Sequence, residues 1–294
     1  MKCEPYVVRL VEDAKPVRRK PYPLSPEKQK ALDSILEVLL RDGIVEHTNC
    51  AEWCSPCILV SKGDGRWRLV IDYRLVNLLI INDSVLYPRA EEIFEIVQNA
   101  FYMFLIDGRD FYFQRLLAVI SRDLSTFMCH RGTLRFTRCP QGLRPSSSAA
   151  ITPISRQLSE MLFKTILMHC DDVLGWSETE LDSHSVFAKV ISKLHDFGLT
   201  LGWFKVFIML NKAQYVSHVI ESGTVRPNPK LVKCIGELPM PSDVKMVRKF
   251  IGLVQYFAHY IPRLSEMKAV LTATTLKDVD FKEVWNKECE NAVN

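Results

Sequence analysis

Apolar positions recur along this chain in two periods, and the period changes where turn residues fall. Leu32, Ile35, Leu36, Leu39 and Leu40 stand at helical spacing. Ser25-Pro26-Glu27 before them supplies a cap, a first-turn proline and an acid near the positive end of the dipole, and Gly43 stops the run, so a helix is predicted between. Strand-like runs follow at 57–60 and 67–71, on either side of Gly63-Asp64-Gly65, a hairpin signal. A helix is predicted over 88–97, then a strand through 104–106 that ends on Asp107. Residues 133–139 read as a strand, Pro140-Gln141-Gly142 as a turn, and Pro145-Ser146-Ser147 as the start of a helix reaching the 150s. Val186, Val190, Ile191, Leu194 and Phe197 form a further helical stripe closed by Gly198. After about residue 230 the texture turns helical, with Ser242-Asp243 capping a helix that bears Val247, Ile251 and Val254 and ends at Pro262. Residues 1–23, polar and punctuated by proline, read as an extended arm.

Composition narrows the class only modestly. The 294 residues are 48% apolar and 24% charged, enough for two or three packed subdomains. A net charge of +4 permits a nucleic-acid partner without demanding one. Lys15, Arg18, Arg19 and Lys20 cluster, as do Lys245, Arg248 and Lys249; each cluster reads equally as a solvated face. No apolar run approaches the roughly 20 residues that span a bilayer, and the first residues lack the apolar stretch of a signal peptide, so no membrane partner is expected. Nine irregularly spaced cysteines suit a reducing compartment. Cys50, Cys54 and Cys57, near His47, lack the paired spacing of a zinc site and read better as small buried thiols.

The candidate chemistry sits at Cys170-Asp171-Asp172. Ile166, Leu167 and Met168 before the pair, and Val173, Leu174 and Trp176 after it, read as two short strands with the aspartates in the turn between. Taken alone, such a pair is more often a polar turn. Joined by Asp107 from a neighbouring strand, it becomes a hard-oxygen set suited to magnesium and to phosphoryl transfer.

Read in order, further segments join this pair. These are Ser55-Pro56-Cys57-Ile58-Leu59-Val60 leading to Lys62 and Trp67-Arg68; Asp72-Tyr73-Arg74-Leu75-Val76-Asn77; Asp107 with Tyr112 and Gln114; residues 137–143; and Tyr215-Val216-Ser217-His218. At these positions the chain resembles the reverse transcriptases of gypsy-like long-terminal-repeat retrotransposons, from roughly residue 15 to the C-terminus. The resemblance implies an α+β right-hand polymerase fold of fingers, palm and thumb, lacking ribonuclease H. Residues 24–230 would be fingers and palm, 231–278 a helical thumb-like subdomain, and 279–294 the start of a linker toward an absent ribonuclease H domain. It implies that Asp107, Asp171 and Asp172 are catalytic and hold two Mg2+ ions, with Mn2+ able to substitute. Lys62, Arg68, Asp110, Phe111, Tyr112, Gln141 and Lys205 would bind the deoxynucleoside triphosphate, with Tyr112 blocking a ribose 2′-hydroxyl and Gln141 beneath the sugar. Tyr215, Val216, Ser217 and His218 would form the primer grip, and the helix from Ser242 would track duplex phosphates. The implied partners are an RNA or DNA template with its primer and, within a longer polyprotein, ribonuclease H and integrase domains. The implied location is intracellular, either cytoplasmic (including virus-like particles) or nuclear.

Several positions depart from the family pattern. His169 replaces an aromatic two before the aspartate pair, Phe111 a small residue, Gly108 an apolar strand residue and Ser217 a glycine; Leu86-Tyr87-Pro88-Arg89 scrambles another motif. Phe111 is expected to crowd the phosphates, Gly108 to weaken its strand, and Ser217 to strain a turn that favours positive φ. Two readings from different classes follow: an RNA-directed DNA polymerase, or a catalytically decayed remnant that at most binds nucleic acid. A metal-dependent hydrolase around Asp171 and Asp172 is a weaker third, since it leaves the basic hairpin unexplained.

Overall fold

The helix expected after Ser25 is α1 (Pro26–Arg41). The Ser25 side chain accepts from the Lys28 amide, Leu32 and Leu36 are fully buried, and Gly43 takes a φ of +64° just past the helix end. The structure is a computed structural model that describes residues 1–50, 52–63, 65–83, 93, 95–276 and 280–293. Most of the expected 88–97 helix and the scrambled 86–89 run lie outside the described residues. The chain forms two compact units, one of Met1–Pro88 with Met103–Met209, the other of Arg89–Tyr102 with Leu210–Asn294.

The first unit holds two sheets. One has five strands in the order β1 (Val45–His47), β6 (Gly132–Phe136), β5 (Phe127–Cys129), β2 (Ser55–Ser61), β3 (Trp67–Ile71). β2 and β3 pair antiparallel from Cys57↔Ile71 to Ser61↔Trp67, which makes the expected basic hairpin. Lys28 of α1 lies 5.3 Å from the Trp67 ring centroid, a cation–π contact between helix and hairpin. A short helix α2 (Arg74–Leu78) follows β3. Residues 1–23 are extended, as read, and packed down: Tyr6 bridges Leu117, Leu10 bridges Ile80, Arg18 bridges Cys54, and Val8 is buried. Cys54 and Cys57 are buried thiols, and burial pushes Cys57 up to about 12.

The second sheet runs β7 (Ile166–His169), β8 (Asp172–Ser177), β4 (Tyr102–Asp107), β9 (Phe207–Leu210). It shares a core with α3 (Ser146–Gln157) and α4 (Glu180–Asp196) through Phe104, Ile106, Ile151, Ile154, Val190 and Leu194. Gly175 is required there, since a Cβ at this position would meet the Phe104 ring at 1.9 Å. The strand expected over 133–139 ends at Phe136.

The second unit contains a three-stranded antiparallel sheet, β10 (Lys212–Tyr215), β11 (His218–Glu221) and β12 (Thr224–Pro227). Helices α5 (Pro229–Gly236), α6 (Val244–Gln255), α7 (Leu264–Ala273), α8 (Phe281–Val284) and α9 (Lys287–Val293) follow. Asp243 caps α6 through the Met246 amide, as expected. The helix stops at Gln255, well before Pro262; Tyr256 keeps helical backbone angles, Phe257 departs from them, and both rings pack against His218. Residues 210–230, grouped by sequence with fingers and palm, belong to this unit. Within the stretch read as a linker, Cys289 is buried in the helical core with Val247 and Leu271.

Candidate active site

β7 and β8 pair from Ile166↔Gly175 to His169↔Asp172, so Cys170 and Asp171 form the turn and Asp172 opens β8. Cys170 takes a φ of +54° to close it. The Gly108 amide donates to the Asp171 carbonyl at 3.1 Å, which ties the end of β4 to the turn and sets Asp107 beside the pair. The acidic hairpin tip with its third aspartate is therefore present as the spacing predicted.

The electrostatics record this crowding. Asp172 is pushed up to about 6, first by partial burial of its carboxyl, then by Asp171 and Asp107, with Lys205 pulling the other way. Lys205 Nζ lies 2.9 Å from Asp107 Oδ2, and this hydrogen bond, with the charges of all three aspartates, raises the lysine. Among the described residues, no three His, Cys, Asp or Glu side chains are set to grip one metal ion. The donor chemistry nonetheless fits a hard divalent cation: three carboxylates whose mutual repulsion a lysine only partly relieves. His169, half-buried beside the pair, is lowered by burial.

Next to this tip lies a cavity of about 680 Å³. Lys62, Arg66 and Arg68 of the β2–β3 hairpin line it, with Asp110, Tyr112 and Gln141 and an apolar wall from α1. Four expected nucleotide contacts besides Asp110 were Lys62, Arg68, Tyr112 and Gln141, and all five meet here. Arg66, Trp67 and Leu69 complete the hairpin's share and were not assigned a role by the sequence. Tyr112 connects cavity and carboxylates. Its hydroxyl lies 3.5 Å from Ser147 Oγ, and burial, with Cys170 and Asp171 adding, raises its pKa.

Two expected contacts fall elsewhere. Lys205 is absent from the cavity lining, engaged with Asp107. The Phe111 side chain is 5% exposed and points into the core with Phe104 and Ile106, so any contribution to the cavity comes from its backbone. The expected crowding of phosphates by its ring is thereby corrected. The ring lies against Gly108, where a Cβ would meet Phe111 Cδ2 at 2.7 Å. The two departures from the family pattern thus fill one another's space.

Residues 215–218 form the β10–β11 turn in the second unit, with Tyr215 paired to His218. Tyr215 and His218 are buried at 2% and 1% exposure, which makes them supports of the turn. Val216 and Ser217 have φ values of +43° and +63°, the strain expected where glycine is missing, heightened by a β-branched neighbour. Three donors hold the tip: His218 Nδ1 and Tyr256 Oη both donate to the Val216 carbonyl, at 2.7 and 2.9 Å, and the Asn228 amide donates to Ser217 O at 3.0 Å. Tyr256 and Asn228 carried no sequence signal, because Tyr256 bonds to a backbone carbonyl and Asn228 acts through its own backbone amide.

Residues 60–236 match the family model described as "Reverse transcriptase (RNA-dependent DNA polymerase)". The Drosophila melanogaster retrovirus-related Pol polyprotein from transposon 412 is 26% identical over 96% of this chain and 23% of its own length. The enzymatic polyprotein of Cauliflower mosaic virus (strain CM-1841) is 25% identical over 96% of this chain and 42% of its own length. The chain thus spans less than half of these curated relatives. Among solved structures, the foamy viral protease-reverse transcriptase dRH in complex with ds DNA superposes with a TM-score of 0.84, at 20% identity, over 99% of this chain and 51% of that one. The foamy viral protease-reverse transcriptase in complex with RNA/DNA hybrid gives 0.80, at 19% identity, over 99% and 39%. At such identity these likenesses speak for the fold, a mixed helix-and-sheet polymerase. The family model covers more than half of the chain and takes in Lys62 and Arg68, both acidic strands, and the cavity residues Asp110, Tyr112 and Gln141: this chain is a member of the reverse transcriptase family.

Proposed function

We propose that this chain is an RNA-directed DNA polymerase of gypsy-like retrotransposon origin, which joins deoxynucleotides to a primer 3′-hydroxyl by two-metal phosphoryl transfer. The observation that carries the reading is Tyr112, which lines the cation-walled cavity and lies close enough to the hairpin tip to interact with Cys170 and Asp171. One side chain thus borders both a space for a triphosphate and the carboxylates beside it.

The residues divide the work. Lys62 and Arg68 hold the β- and γ-phosphates, the guanidinium in a bidentate manner. Asp110 and Phe111 offer backbone amides, Tyr112 excludes a ribose 2′-hydroxyl, and Gln141 reaches the sugar. Asp107, Asp171 and Asp172 hold two Mg2+ ions, or Mn2+, which when bound supply the Lewis-acid charge that such a transfer needs. Lys205 pairs with Asp107 and, by the resemblance, would also contact the triphosphate. Residues 215–218 grip the primer end, and the α6 face bearing Lys245, Arg248 and Lys249 follows duplex phosphates. The template is RNA or DNA, the setting is cytoplasmic or nuclear, and ribonuclease H and integrase modules are companions in a longer polyprotein.

Primer extension on poly(rA)–oligo(dT), with Mg2+ or Mn2+, tests this. The expected result is extension that disappears in Asp171→Asn while primer–template binding persists. Equal loss of binding and extension in that variant counts against the metal role. Salt-sensitive binding without extension by the folded, unsubstituted chain would instead identify a binding remnant.

A further inference from the structure

Gln141 on the cavity wall and Ser147 beside the Tyr112 hydroxyl belong to one segment, residues 140–147. That segment is gripped by a side chain of α2. Asn77 Nδ2 donates to the Gly142 carbonyl at 2.9 Å, and Asn77 Oδ1 accepts from the Arg144 amide at 2.8 Å. The bonds fall on either side of Leu143, which is 3% exposed and anchors the segment in the core. Pro140 and Pro145 are buried as well, and the paired bonds from Asn77, two residues wide, fix the backbone orientation between these anchors. The carboxamide does here what a neighbouring strand does in a ladder, one donor and one acceptor to alternate residues. The partners also fix which end of the amide is which, because exchange would set carbonyl against carbonyl. Asn77 is itself seated by its own amide on the Tyr73 carbonyl, and Tyr73 is buried with its hydroxyl on the Ser125 carbonyl.

We propose that Asn77 is the positioning residue of the nucleotide cavity. It sets the 142–144 backbone, and with it both Gln141 beneath the sugar and Ser147 behind the Tyr112 gate. This deepens the polymerase reading and rests on it. Chemistry makes the requirement narrow. Aspartate keeps the acceptor for Arg144 but loses the donor and turns a charge toward the Gly142 carbonyl. Leucine keeps the shape and loses both bonds.

The test is single-nucleotide incorporation by the unsubstituted chain, Asn77→Asp, Asn77→Leu, Gln141→Ala and the Asn77→Leu/Gln141→Ala pair, with melting temperatures alongside. Loss of two neutral hydrogen bonds is expected to raise KM for dTTP about tenfold in Asn77→Leu, less in Asn77→Asp, with kcat within about threefold. The preference for dTTP over its 2′,3′-dideoxy analogue is expected to narrow in both variants, and Asn77→Leu is expected to add nothing to that preference once Gln141 is alanine. Unchanged KM and sugar preference in folded variants overturn the proposal, as does a fall in kcat alone; Asn77→Asp decides the matter if Asn77→Leu does not fold. If the unsubstituted chain extends no primer, the polymerase reading fails separately. The stabilisation that dTTP with Mg2+ gives to melting then decides the inference: a smaller shift in the Asn77 variants supports it, and an equal shift overturns it.

Discussion

Gly108→Ala adds one methyl group, and its effect follows from one distance. The new Cβ would lie 2.7 Å from Phe111 Cδ2 and 3.5 Å from Phe111 Cβ and Cγ. The backbone of Gly108 does not have positive φ, so alanine meets no conformational penalty and the clash acts alone. The ring cannot yield freely, because it is 5% exposed among Phe104, Ile106 and Ile154 and stands edge-on to Tyr112 at 5.6 Å between centroids. Overpacking of this kind costs about 1–3 kcal/mol. Phe111→Ala alone leaves a cavity and costs about 3–5 kcal/mol. With the ring gone, however, the methyl group at 108 has room, so Gly108→Ala in that background is expected to be neutral or slightly stabilising. The double-mutant cycle, read from urea midpoints, is therefore expected to give a coupling of about 2 kcal/mol. Additivity within about 0.5 kcal/mol would refute the reading that these two departures are a matched pair. Tyr112 offers a second readout: Gly108→Ala pushes Phe111 toward it, so sugar discrimination is expected to change with stability.

Asp172→Asn is expected to raise the metal-free melting temperature at pH 8 and to have no effect near pH 4. The folded-state pKa, about 6, lies above the ordinary carboxylate value, so ionisation opposes folding and stability declines as pH rises between the two; a variant less stable at pH 8 would reverse that sign. Lys205→Gln removes the cation that shares Asp107, and calorimetric Mn2+ affinity is expected to tighten about tenfold, a gain of about 1.4 kcal/mol; unchanged or weaker binding would show that the lysine does not compete. Ser217→Gly relieves a residue held at φ +63° and is expected to add about 1 kcal/mol to stability by denaturant titration. A loss there would mean that the seryl side chain is needed by the turn.

What could be read from sequence was whatever carried its own local signal. The α1 start, the β2–β3 hairpin and the acidic turn each rest on residues adjacent in the chain: a cap beside a helix stripe, glycines between strands, aspartates between apolar triplets. Of the three-stranded sheet β10–β12 only residues 215–218 were singled out, through the resemblance, and the several short helices beyond residue 230 were legible only as a change of texture. Their stability comes from contacts among distant residues, such as Cys289 with Val247 and Leu271. The end of α6 shows the same limit: proline marks where a helix cannot continue, while the actual stop comes earlier, at Gln255, beside the Tyr256 and Phe257 rings packed on His218. Backbone-directed bonds leave no local signal, which is why Tyr256 and Asn228 went unread and Asn77, though part of a recognised segment, went without a role.

Departures from a family pattern have different meanings according to what surrounds them. Read singly, Gly108 and Phe111 are both damage, a weakened strand and a crowded phosphate site. Together they occupy one volume, the ring moved from the phosphate side into the space a side chain at 108 would fill. Uncorrelated decay has no reason to remove bulk at one position and restore it at its neighbour in space. The turn at 216–217 is the complementary case. Its strain is not relieved by a second substitution, and it persists because three donors converge on two carbonyls from His218, Tyr256 and Asn228. Strained backbone is kept only where its surroundings over-determine it. Loss of any one clamp would let the turn relax, so Tyr256→Phe is expected to be far less damaging when Ser217 is glycine. One departure is thus matched by a neighbour in space, and the other is held by the bonds around it.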